Sequence, residues 1–192
     1  MALEIFLNKF LGIGTLVLHI VLGLSLFIWL YHKSLKKTGK RLPSFLYNIK
    51  NFIQTNSLLF AFILTLGATI GSLIYSEIIG LPPCDLCWYQ RALIYPQVII
   101  LLVALIKKDR EIFDYVIGLN IIGIIISSYQ YIMQMINYSG PCPIGSGGIA
   151  CFSKDVFEFG YITIPLMSLS VFVVVIVLTY MAKNEKHVEI VF

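Results

Sequence analysis

The residues with most chemistry to offer stand together at Pro82-Pro83-Cys84-Asp85-Leu86-Cys87-Trp88-Tyr89-Gln90-Arg91. Two cysteines with two residues between them can close a small disulfide. At the start of a helix, the thiol nearer the helix faces unpaired backbone N–H groups. Those groups and the helix dipole stabilise a thiolate. Asp85 is expected as the N-cap, which starts the helix near Leu86 and puts Cys87 in its first turn. Arg91 follows Cys87 by one helical turn, so the two side chains share a face. A fixed positive charge there favours the ionised thiol and attracts electron-rich groups. Tyr95 continues the same face. A strip of thiolate, cation and aromatic ring suits a flat, lipid-soluble electron acceptor, and a quinone fits that description. Two plainer readings compete. Arg91 can snorkel to a membrane interface beside Trp88 and Tyr89 as an aromatic belt. A lone C-x-x-C can be a structural staple or half of a metal site.

The second pair, Cys142 and Cys151, encloses a glycine-rich stretch, Pro143-Ile144-Gly145-Ser146-Gly147-Gly148-Ile149-Ala150. A disulfide across it would stabilise by about 3 kcal/mol on the chain-entropy account. It can be a structural staple. It can also be a movable dithiol that meets an external partner and exchanges with Cys84/Cys87, making a relay of thiols. Zinc on all four cysteines is disfavoured, because eight residues separate the second pair where zinc knuckles use short spacings.

These groups need elements to hold them, and the composition says of what kind. The chain has 192 residues, 58% hydrophobic and 12% charged, with mean hydropathy +0.88. Soluble domains are usually about a quarter charged, so this is an integral membrane protein. The net charge of +4 gives no case for nucleic acid as a partner. A spanning helix needs roughly 20 apolar residues. Five stretches meet that need: 11–31, 57–76, 88–106, 115–137 and 161–182. The uncharged run from Tyr115 to Ser153 is broken by clustered prolines and glycines, which mark a loop. The stretch 11–31 is read as a retained transmembrane helix, because it is too long for a signal peptide and has no small-residue cleavage site. His19 within it is read as a packed, hydrogen-bonded residue and not as a ligand.

Orientation follows from the basic residues. Lys33, Lys36, Lys37, Lys40, Arg41, Lys50, Lys107, Lys108, Arg110, Lys183 and Lys186 fall on one side, 11 in all, against Lys9, Arg91 and Lys154 on the other. The amino terminus is therefore expected outside and the carboxyl terminus in the cytoplasm. Both cysteine pairs then face the outer side, where disulfides persist.

The motif C-x-x-C-W-Y-Q-R, with Tyr95-Pro96 after it, resembles the DsbB/BdbC family of disulfide bond formation proteins. The two-cysteine outer loop and Ile162-Thr163-Ile164-Pro165 at the last helix add to the likeness. It covers about 57–182. The resemblance implies an all-α integral membrane protein, a four-helix transmembrane bundle core plus one extra N-terminal helix. The expected division is 1–56 for the extra helix and basic loop, 57–182 for the thiol oxidase core, and 183–192 for a cytoplasmic tail. It implies a quinone-dependent thiol oxidase of the bacterial or archaeal cytoplasmic membrane, using ubiquinone or menaquinone. Its protein partner would be a DsbA-like, thioredoxin-fold oxidase outside the membrane. Cys87 would be the quinone-proximal thiolate and Cys84 its interchange partner. Cys142 would form the mixed disulfide with the partner, and Cys151 would exchange with Cys84. Arg91 would contact the quinone, with Tyr95 on the same face. Some members carry a histidine near the outer end of the third core helix, and aligning on Gln134 puts Gln130 there as a further cofactor-binding candidate. A vitamin K epoxide reductase-like enzyme is the alternative within redox chemistry. W-Y-Q-R after the C-x-x-C, and the loop pair following it, favour the first reading. A non-enzymatic membrane protein with structural disulfides is the alternative outside it.

Overall fold

The computed structural model describes residues 2–37, 43–107, 112–138, 140 and 151–183. Among the described residues, six α-helices follow one another: α1 Ala2–Lys37, α2 Ser44–Thr55, α3 Ser57–Leu73, α4 Asp85–Lys107, α5 Ile112–Met135 and α6 Ile164–Lys183. A π-helical turn, Ile74–Ile78, extends α3. The described residues hold no strand, only an isolated bridge between Glu158 and Ile162. Five of the helical segments are long and apolar enough to cross a membrane: Glu4–Ile28, Ser57–Ile78, Asp85–Lys107, Ile112–Met135 and Ile164–Lys183. The fold is the all-α membrane architecture that the five apolar stretches require.

Helices α3 to α6 form a bundle around a core that includes Leu101, Val116, Phe172 and Val175, all essentially inaccessible. Hydrocarbon gives apolar faces little reason to prefer each other, so polar and small residues decide which faces meet. Gln90 donates to Gln130 Oε1 at 2.6 Å, and Asn120 donates to Gln97 Oε1 at 2.7 Å. As the α4 number rises, its α5 partner falls, so these two bonds fix an antiparallel register. Gly123 sets how closely α5 meets α6. A Cβ built there would lie 2.6 Å from the Phe172 ring.

The sequence expectation differs from the structure at several elements. Helix α1 begins at Ala2 and its spanning segment is Glu4–Ile28, earlier than the expected 11–31, because Ile5, Phe6, Leu7 and Phe10 carry the apolar run past Lys9. Helix α6 begins at Ile164, after the expected 161, because Phe159 and Gly160 both take positive φ and turn the chain first. The Thr163 carbonyl then accepts the first helical bond, from Met167 N–H at 3.0 Å. Helix α2 was not expected. It is too short to span, and its Phe45, Tyr47 and Phe52 are exposed in the manner of an interfacial helix. A further difference is the start of α4, and it bears on the site.

Candidate redox site

Helix α4 carries the first cysteine pair at its amino end. Pro82 and Pro83 keep the approach extended. The Cys84 carbonyl accepts from Trp88 N–H at 3.0 Å, so Cys84 occupies the N-cap and Asp85 is already helical. The expectation that Asp85 caps the helix is corrected by one residue, with a chemical consequence. The helix N–H of Cys87 points at Cys84 Sγ, 3.3 Å away. The sulfur that faces the helix terminus is therefore that of Cys84, in the place where a cap oxygen usually stands. Cys84 and Cys87 are joined in a disulfide.

Across from them, α5 presents Gln130. Its Nε2 reaches Cys84 Sγ at 3.2 Å, Cys87 Sγ at 3.7 Å and the Cys151 carbonyl at 2.9 Å. Its Oε1 accepts from Gln90, which fixes the orientation of the amide. One turn on, Gln134 donates to the Ser153 carbonyl at 2.8 Å. The two glutamines thus pin the chain at 151–153 against the first disulfide. Cys151 is itself disulfide-bonded. It is buried with Cys84, Leu86 and Phe152 in one apolar cluster. Cys142 and its glycine-rich stretch lie outside the described residues.

Arg91 is 9% exposed. Its Nε donates to Ser72 Oγ at 2.9 Å and its Nη2 to the Ser72 carbonyl at 3.0 Å. That carbonyl lies just before the π-helical turn, a widening often found at functional sites. Trp88 stacks on the guanidinium at 5.3 Å. Tyr95 bonds the same Ser72 hydroxyl at 3.3 Å.

A cavity of about 620 Å³ runs from this cluster into the bundle. Cys84, Cys87, Arg91, Gln130 and Cys151 all border it, while Tyr95 stands behind Arg91 and does not. Of the residues read from sequence, five are brought to one cavity. Ser72 and Gln90, which orient Arg91 and Gln130, were missed. A serine within Gly71-Ser72-Leu73 carries no signal until α3 is laid beside α4. His19, as expected, is hydrogen-bonded, to Ser170 Oγ and Tyr161 Oη.

Five spanning helices with a disulfide buried at one end of an apolar cavity define a polytopic membrane protein built for thiol–disulfide chemistry. Comparison with known proteins gives the family. The family model for Disulfide bond formation protein DsbB matches residues 54–182. The SPbeta prophage-derived disulfide bond formation protein B of Bacillus subtilis is 47% identical over 111 residues, 57% of this chain and 74% of that protein. Disulfide bond formation protein C of the same organism is 40% identical over 127 residues, 66% and 91% respectively. A probable disulfide formation protein of Coxiella burnetii is 38% identical over 122 residues, 63% and 83%. No solved structure matches. The chain belongs to the DsbB family of disulfide bond formation proteins. It is a bacterial multi-pass membrane protein with the thiol oxidoreductase chemistry of that family.

Proposed function

We propose that this protein reoxidises an extracytoplasmic DsbA-like, thioredoxin-fold oxidase and passes the electrons to a membrane quinone. The observation that carries this reading is the apolar cavity that ends on the Cys84–Cys87 disulfide and a buried arginine. The largely apolar walls favour a flat, apolar acceptor, and its two carbonyl oxygens suit the cation.

The residues divide the work as follows. A partner thiolate attacks Cys142 and then leaves with a disulfide of its own, reducing Cys142 and Cys151. The Cys151 thiolate attacks Cys84, which shares its buried cluster. Cys87 departs as a thiolate, with the Gln130 amide beside it and Arg91 one turn along. Closing the second pair again leaves Cys84 and Cys87 as a dithiol, and the Cys87 N–H and Gln130 amide hold charge on Cys84. A quinone held beside Arg91 and Cys87 would supply a two-electron, two-proton acceptor, with which the Cys84–Cys87 dithiol returns to its disulfide. Arg91 orients the acceptor oxygen through the donors that Ser72 does not take. The cysteine end of the bundle faces outward and the carboxyl terminus lies in the cytoplasm.

The test is anaerobic. Purified protein in detergent is reduced, freed of reductant and mixed with one equivalent of a ubiquinone or a menaquinone analogue, with Cys87→Ala alongside. Loss of quinone absorbance in the unaltered protein, absent in the variant, is the expected result. No loss with either quinone, while the thiols remain titratable, overturns the acceptor reading.

A further inference from the structure

Helix α1 lies wholly outside the residues that match the family. It is nonetheless bound to the bundle by specific polar contacts. Tyr75 Oη donates to Asn8 Oδ1 at 2.7 Å. Ser170 Oγ donates to the Leu166 carbonyl, so it accepts from His19 Nε2–H at 2.6 Å. That leaves His19 Nδ1 to accept from Tyr161 Oη at 3.3 Å. These bonds hold α1 against α6 along one side and against the end of α3 at the other. Near Glu158 the fit is tight: a Cβ built on Gly12 would lie 3.3 Å from the Glu158 Cβ.

Between α1 and the body of α3 the register is antiparallel. Asn8 meets Tyr75, and Leu11 meets Gly71, where a built Cβ would sit 3.5 Å from the leucine. One turn further in, the same register brings Gly14 opposite Gly67. At both of these glycines a built Cβ meets nothing within 4 Å. Both border the cavity that ends at Cys87 and Arg91. The two helices are therefore closed together at the cysteine end and parted one turn deeper. Ser72, which holds Arg91, lies five residues from Gly67, or about 7.5 Å along the helix at 1.5 Å per residue.

We infer that α1 is the outer wall of the acceptor site, and that the parting at Gly14 and Gly67 is the side entrance through which the acceptor's apolar chain trails into the bilayer. The inference rests on the quinone reading above and adds a role for a helix that the family match does not contain. The occupant follows from the geometry. The walls on both sides are apolar, and the opening faces the hydrocarbon level of the helices. Its inner end is the redox disulfide. A ring held near Arg91 leaves its chain at the level of the two glycines.

The test measures discrimination between a quinone with a long isoprenoid chain and the same ring without one, using the full chain in detergent. Gly14→Leu and Gly67→Leu each place a side chain in the opening where no atom stands in the way. The ratio of kcat/KM for the chained over the chainless quinone should fall about tenfold or more, the size of a misfit by one or more methylenes. Gly14→Ala and Gly67→Ala should fall in between. A ratio that stays at its original value in both leucine variants overturns the inference and leaves the quinone reading standing, with the opening filled only by lipid. Equal loss with both quinones also overturns it, since the glycines then support the bundle and not an entrance. Failure of the unaltered protein to reduce either quinone removes the acceptor reading and this inference together.

Discussion

The Arg91 fork gives two adjacent hydrogens to Ser72, from Nε and from Nη2. A guanidinium has five such donors in a fixed plane, so others remain for an acceptor oxygen. Arg91→Met should therefore raise the quinone KM more than it slows exchange between the cysteine pairs, as steady-state kinetics at varied quinone will read. Arg91→Lys should not restore the KM, because an ammonium lacks the planar fork whose adjacent N–H groups meet Ser72 Oγ and its carbonyl. In the proposed relay, Gln130 works on the other step. Its amide bonds both Cys84 Sγ and the Cys151 carbonyl. Gln130→Leu removes both donors at nearly equal volume. A hydrogen bond to a charged group contributes about 1.5–3 kcal/mol, so exchange between the pairs should slow about tenfold or more. Acid quenching and alkylation of single-turnover samples measures that rate, and an unchanged rate would remove Gln130 from the exchange step. Gln130→Glu should be slower still, since it presents an oxygen to the sulfur. The sequence showed Arg91 as a partner of Cys87 through helical spacing alone. It offered Gln130 only as a quinone contact by likeness to a histidine in relatives. The amide's hold on Cys151 depends on α5 crossing α4, which no local spacing encodes.

At the scale of elements, the spanning helices were legible because hydrocarbon demands about twenty apolar residues in a row. Their ends were less so. Helix α2 is amphipathic, with Phe45, Leu46, Ile49, Phe52 and Ile53 at helical spacing, but it is too short to register as a span. The α4 start shows why ends matter. Cysteine is an uncommon cap, and Asp85 beside it is a good one, so propensity pointed one residue late. The local geometry was set by the two prolines before Cys84 and by the return of Cys87 N–H to its sulfur. This cap predicts different outcomes for two substitutions that both delete the thiol. Cys84→Ser keeps an acceptor for the Cys87 N–H, while Cys84→Ala leaves it bare. Under reducing conditions, the alanine variant should be less stable than the serine variant by about 1 kcal/mol, the usual worth of a side-chain cap. Thermal unfolding in one detergent compares them. Equal stability would mean that the sulfur does not cap α4.

The whole molecule has two unlike ends. One gathers Cys84, Cys151, the Asn8–Tyr75 bond and Glu158. The other gathers α2, the end of α4 at Lys107, and the Lys183–Asp114 ion pair between α6 and α5. Placing α1 in this frame was beyond the sequence, since an apolar helix does not declare its neighbour; among its contacts, the polar ones of Asn8 and His19 help commit it to one side. Basic residues avoid translocation, so the Lys107 and Lys183 end should lie in the cytoplasm and the cysteine end outside. Single cysteines introduced at Lys154 and at Lys50, in a background with all four native cysteines changed to alanine, test this. Lys154 stands beside Asn137 at the cysteine end, and Lys50 lies on α2 at the other. A membrane-impermeant maleimide applied to intact cells should label Lys154→Cys, and should label Lys50→Cys only after lysis. The reverse pattern would put both cysteine pairs in the reducing compartment. Their disulfides would then lack the oxidising surroundings in which such bonds persist, and a relay that delivers oxidising equivalents to an external partner would have no route to it.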